Sequence, residues 1–153
     1  MRVADCNRVV THVLLAVLLS LGLCGKSVRA EDHSQVVMIT HTSSSAEAIS
    51  LLEIRRLYLG FPSQDADIGK PIINHSDRQL FEDFLKNIMH VTEDGYRRKI
   101  VRRVFRYGSD YVTELQSIEK IAQHLAENPN DVVFVYVNNL QRYGDVKILV
   151  RLW

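Results

Sequence analysis

Residues 132–137 read VVFVYV, an apolar and aromatic run with no polar alternation. A strand with one face in water alternates apolar and polar side chains, whereas an unbroken run belongs to a central strand covered on both faces. That reading decides the fold, because helices must then lie on each side of the sheet.

Working outward, Ser117 starts a helix carrying Ile118, Ile121, Ala122 and Leu125, and Asn128-Pro129 closes it just before the apolar run. Beyond the run, NNLQRYGD forms a loop with a turn at Gly144-Asp145, and VKILVRLW (146–153) is a last strand. Upstream, QVVMITH (35–41) is a β-branched first strand and KPIIN (70–74) a short second one. Between them, Ser50 and Glu53 make a capping box, with Ile49 and Ile54 as its hydrophobic staple. Gly60 and Pro62 end this helix, so it should run from about Leu51 to Leu59. The serines at 43–45 therefore fall in the loop leaving the first strand.

Ser76 and Gln79 form a second capping box, before a stripe of Leu80, Phe81, Phe84, Leu85, Ile88 and Met89. Thr92 caps a third helix, with Glu93 and Asp94 in the first turn, where the helix dipole favours them. It carries Tyr96, Ile100, Val101, Val104 and Phe105 as apolar positions and stops near Gly108; YVTEL (111–115) is a further strand. The order β-α-β-α-α-β-α-β-β predicts a single α/β domain with helices on both faces of its sheet.

That domain spans residues 31–153. Residues 1–30 have a different character: Arg2 and Arg8 precede the apolar run Val13–Cys24, and Val28 and Ala30 occupy the small-residue positions of a cleavage site. The run is short for a membrane span, so the segment is expected to be a cleavable signal peptide and the domain periplasmic. Both cysteines, Cys6 and Cys24, lie inside it, which leaves the exported domain without a disulfide or a catalytic thiol. Without Arg2, Arg8, Lys26, Arg29 and Asp5, totals of 19 Lys+Arg and 18 Asp+Glu become 15 and 17. A slightly acidic domain excludes a general nucleic-acid role. After cleavage nothing is expected to span the membrane.

Catalytic signatures are missing. There is no G-x-S-x-G, Walker loop or dinucleotide fingerprint, and His33, His41, His75, His90 and His124 show no metal-ligand spacing. No enzyme activity, cofactor or metal is expected. Two features invite a binding role. Asn74, His75, Ser76, Asp77 and Arg78 lie at a helix N-terminus, where the Ser76 hydroxyl, backbone N–H groups and Arg78 can meet an oxyanion; an ordinary N-cap with Arg78 in solvent fits the same residues. Residues 97–106 hold six cations, of which Arg98, Lys99, Arg102, Arg103 and Arg106 gather on one side of the helix. That side is a solvated face or a docking surface for an acidic protein, an anionic membrane or a polyanion.

The segments EIRRLYLGF, GKPIIN, LFEDFLKNIM and RRVFRYG, then an Ile-rich helix ending ENP before the VYV strand, occur in that order. The chain thereby resembles the short phosphate-transporter substrate-binding-like proteins of bacteria, in the type 2 periplasmic binding-protein superfamily. The resemblance implies a single three-layer lobe, a mixed sheet flanked by helices. It also implies phosphate or a similar small oxyanion as ligand, and a membrane permease or envelope protein as partner. Larger relatives bind phosphate with an Arg and a Gly-Ser-Gly-Thr loop, matched here by Asn74–Arg78; the glycines are absent and Asp77 places a carboxylate where an anion would approach. The expected function is solute binding for a transport system, with Asn74, His75, Ser76 and Arg78 as ligands. The alternative is an accessory module that docks an envelope protein through helix 97–106.

Overall fold

The computed structural model describes residues 35–108 and 112–153. Five strands form one sheet: β1 Val36–His41, β2 Pro71–Asn74, β3 Thr113–Leu115, β4 Val132–Tyr136 and β5 Val146–Arg151. Among the described residues four α-helices connect the first four strands: α1 Leu51–Tyr58, α2 Arg78–Phe84, α3 Glu93–Tyr107 and α4 Ile118–Glu127. Residues 1–30, expected to be a signal peptide, and Tyr111 of the third expected strand lie outside the described residues.

The sheet order is β3-β2-β4-β1-β5. β2 pairs in parallel with β3 and β4, while β1 is antiparallel to β4 and β5. Four strands thus share a direction and β1 alone opposes them. The apolar run lies inside the sheet as far as Tyr136, with Val132, Val133, Phe134 and Val135 fully buried, while Val137 opens a 3-10 turn, Val137–Tyr143, where a loop was expected. Alternation along the strands sorts their side chains into two cores. Val36, Met38, Ile73, Val132 and Phe134 pack with α1, α2 and Tyr96 of α3 on one face. Val37, Ile39, Ile72, Val133 and Val135 pack with Ile118, Ile121 and Leu125 of α4 on the other. The fold is a mixed five-stranded α/β sheet flanked by helices, as the sequence order predicts. Among the described residues, no helix is long and apolar enough to cross a membrane.

Ser50, Thr92 and Ser117 cap α1, α3 and α4 as their spacing predicts. Two expectations about caps change. Ser50 Oγ accepts from the Glu53 backbone N–H at 3.2 Å. The Glu53 carboxylate, however, holds the next loop instead of completing the box, accepting from Ser63 Oγ at 3.1 Å and Gln64 N–H at 2.8 Å. At α2 the cap is Asp77 and not Ser76: its side chain accepts from Leu80 N–H at 3.0 Å. Ser76 is drawn away because its hydroxyl donates to Asn74 Oδ1 at 2.6 Å.

The stripe from Leu80 to Met89 is buried throughout its apolar positions, but its last turn, Leu85–Met89, widens to a π-helix. His90 then closes it in the left-handed region with φ 52°. A π turn leaves a carbonyl free, and Arg55 Nε donates to Ile88 O at 2.7 Å. His90 Nδ1 lies 3.1 Å from Lys86 O, so it carries the proton and leaves Nε2 to accept from Arg55 Nη2 at 2.9 Å.

The strand ends below α4 are tied by a buried polar knot. Asp131 Oδ2 lies 2.8 Å from His124 Nε2, and its Oδ1 accepts from Lys70 N–H at 2.7 Å. Thr40 Oγ1 lies 2.6 Å from Pro129 O and 2.9 Å from Asp131 O. Gly69 sits against this knot, where an added Cβ would collide with the Asp131 carboxylate and the Asn130 backbone.

Candidate functional site

From β2 the chain passes to β3 on one side and, through α4, to β4 on the other. The sheet reverses its order between β2 and β4, and open α/β sheets bind ligands beyond the carboxyl ends of the strands at such a point. The loop Asn74–Arg78 begins there, at the carboxyl end of β2.

Its residues are already occupied. Asn74 is fully buried, with Nδ2 donating to Phe134 O at 3.1 Å and Tyr143 Oη at 3.3 Å. Its Oδ1 accepts from Ser76 N–H at 3.0 Å and from the Ser76 hydroxyl. Burial raises the pKa of Tyr143 against the opposing pull of hydrogen bonds with Asn74 and Ser76. The Asp77 carboxylate accepts from the Leu80 N–H in the first turn of α2, so the chain itself supplies the negative charge that the helix start attracts. Arg78 is 80% exposed and pairs with Glu82 at 2.7 Å and Glu93 at 3.7 Å. His75 Nε2 lies 3.5 Å from Glu114 Oε2, and its ring packs 4.4 Å from that of Phe81. These two residues border a cavity of about 290 Å³ that Tyr96 and Arg97 also line. Asn74 and Ser76 are thus brought together, while His75 and Arg78 turn to carboxylate partners.

The basic helix α3 is arranged differently from its expected pattern. Its inner stripe is Tyr96, Ile100, Arg103 and Val104, and of its residues only Tyr96 is buried. Val101 and Phe105, expected on the apolar side, are exposed at 45% and 87%. At 100° per residue Phe105 falls opposite that stripe, and Arg103 takes a place within it. Arg103 is held rather than free: Nε donates to Gly60 O at 2.7 Å, and the guanidinium lies 3.5 Å over the Phe61 ring. The Tyr107 ring also lies near this guanidinium, at 5.1 Å.

Arg98, Lys99, Arg102 and Arg106 remain exposed. Among the described residues none of the four makes an ion pair, whereas Arg97 pairs with Glu93. Lys99, Arg102, Arg103 and Arg106 line one cavity of about 200 Å³ together with Phe61 and Tyr107. The contribution of Phe61 was not legible from spacing, because it comes from the loop after α1. Gly108 ends α3, and Ser109 and Asp110 beyond it lie outside the described residues.

The serines 43–45 serve the loop after β1. Ser43 Oγ pairs with His41 at 2.8 Å, Ser44 Oγ accepts from Ala46 N–H at 3.2 Å, and Ser45 Oγ donates to Asp67 at 2.6 Å. Among the described residues no group of three His, Cys, Asp or Glu side chains is placed to hold a metal ion. No protein-family model matches the chain, and no curated protein or solved structure matches it.

Proposed function

We propose that this chain is an exported, non-catalytic α/β module, a single lobe of the type 2 periplasmic binding-protein kind, that docks an acidic envelope protein through α3. The observation carrying the docking is a contrast in charge compensation. Arg78 and Arg97 are paired with carboxylates, while Arg98, Lys99, Arg102 and Arg106 are exposed with no ion-pair partner among the described residues. A cluster of uncompensated cations costs self-repulsion in the free protein, and an acidic surface relieves it. Exposed Phe105 and Tyr107 flank these cations on the helix and supply the aromatic area that interface centres favour. Capture of partners from an envelope extract tests the reading. The double variant Arg98→Glu, Arg102→Glu should lose the captured protein, and unchanged capture sinks the docking role.

One specific observation supports a second reading, small-oxyanion binding for a transport system at Asn74, His75, Ser76 and Arg78. That loop stands at the switch point of the sheet, where α/β folds place ligands. It requires that Arg78→Ala weaken the binding of inorganic phosphate measured by calorimetry; no change with the variant removes it.

A further inference from the structure

The geometry points to a second anion site, away from the switch-point loop: we propose that the cavity between α3 and Phe61 is a cradle for a phosphoryl group. Arg103 is its fixed element. Gly60 O takes its Nε proton at 2.7 Å, and Phe61 covers one face of the guanidinium at 3.5 Å. A guanidinium stacked in this way keeps its in-plane donors, those on Nη1 and Nη2, available as a fork for an oxyanion.

Lys99 and Arg106 stand one turn to either side of Arg103 on the helix, and Arg102 beside it, all lining the same cavity of about 200 Å³. Four cations face that small volume, and no carboxylate lines it among the described residues. A single carboxylate would leave most of this charge unmatched. A phosphoryl dianion, with its several acceptor oxygens, accepts from a fork and from flanking ammonium and guanidinium groups at once. The Phe61 and Tyr107 rings line the same cavity.

The site uses the same helix as the docking reading but does not need a protein partner, so the two fail separately. The phosphoryl group can arrive as free phosphate or on a lipid headgroup, and two arms distinguish these sources. In the first, the purified protein is titrated with inorganic phosphate by calorimetry. In the second, it is sedimented with vesicles of phosphatidylcholine carrying phosphatidic acid, against phosphatidylcholine alone. Lys99→Ala and Arg106→Ala, both on exposed positions, should each weaken binding about tenfold. Arg103→Lys, which keeps the charge but loses the fork, should weaken it comparably.

Arg98→Ala, on the same helix but outside the cavity, and Arg78→Ala, at the switch-point loop, should change it less than about twofold. This pattern in the calorimetric arm assigns free phosphate, and in the vesicle arm alone a lipid headgroup; either supports the cradle. Binding absent from both arms overturns it. So does an Arg98→Ala loss as large as that of Lys99→Ala, because general electrostatics would then explain the binding. A loss confined to Arg78→Ala overturns it in favour of the switch-point loop. The single variant Arg98→Glu, outside the cavity, separates the docking face from the cradle: phosphate binding kept while partner capture is lost supports the cradle, and both lost together overturns it.

Discussion

Tyr96 Oη donates a 2.6 Å hydrogen bond to the backbone carbonyl of Tyr58, whose own hydroxyl donates to Ile72 O at 3.0 Å. Two buried phenols thereby connect α3 to α1 and α1 to β2. Tyr58 is at the centre of the core, with its ring 4.7 Å from Phe84 and 5.7 Å from Phe134. The basic helix is fastened by buried Tyr96 near its start, by half-buried Ile100 packed on the core and by Arg103 further along, and these contacts set the pose of its cationic face.

Replacing Tyr96 with Phe keeps the ring but orphans the Tyr58 carbonyl. The expected cost is about 1–2 kcal/mol. Urea denaturation of the variant against the parent measures it, and hydrogen exchange should show the first turns of α3 opening more readily. A stability loss below about 0.3 kcal/mol would show that water replaces the lost bond.

The same tyrosines set an alkaline limit. Burial raises the pKa of Tyr58 well above its usual value, with Tyr96 adding to it, and burial with Glu114 raises that of Tyr96. A phenol with a raised folded pKa stabilises the fold fully below the unfolded value, near 10, and that contribution is lost as pH climbs towards the folded value. Between the two, stability should fall by about 1.4 kcal/mol per pH unit for each of the two residues. Denaturation midpoints from pH 9 upward, followed with tyrosinate absorbance, check the slope; a flat profile to pH 11 contradicts the burial of both hydroxyls.

Asp77→Ala and Ser76→Ala separate the two caps proposed for α2. Loss of the Asp77 side chain frees the Leu80 N–H and should cost about 1 kcal/mol. Ser76→Ala instead removes a donor to Asn74 Oδ1, which still accepts from the Ser76 backbone N–H. Amide exchange at Leu80 discriminates the two, rising in the Asp77 variant and staying put in the Ser76 variant.

Gly69 tests the polar knot. A methyl group there meets the Asp131 carboxylate and the Asn130 backbone, and the Gly69 N–H donates to Asn130 O at 2.7 Å. Gly69→Ala should therefore destabilise the protein by about 1–3 kcal/mol through displaced backbone. Calorimetric unfolding reads this as a lowered midpoint, and an unchanged midpoint would show that the loop yields without strain.

Much of this architecture was legible from local patterns, because each of those patterns reports a local cause. An unbroken apolar run requires cover on both faces, and VVFVYV occupies the middle of the sheet with a helix layer on each side. Ser50, Thr92 and Ser117 sit three residues before the N–H groups they satisfy, so sequence spacing alone located those helix starts. The cap at α2 misled because Ser76 and Asp77 are both good capping residues. The choice between them was made by Asn74, whose amide is oriented by Phe134 and Tyr143 from distant parts of the chain.

By itself, then, the sequence determined the element order, the two-faced burial of the central strand and the density of charge on residues 97–106. Local spacing paired Arg97 with Glu93 one turn away, whereas tertiary structure decided that Arg103 is held. Arg103 lost its freedom to Gly60 and Phe61 at the end of α1, and Glu93 from the next helix adds a second partner to Arg78 beside the local one, Glu82. The physical reason is range: caps and periodicity act within one or two turns, whereas compensation of a charge depends on whichever carboxylate, carbonyl or ring the fold brings within a few ångströms.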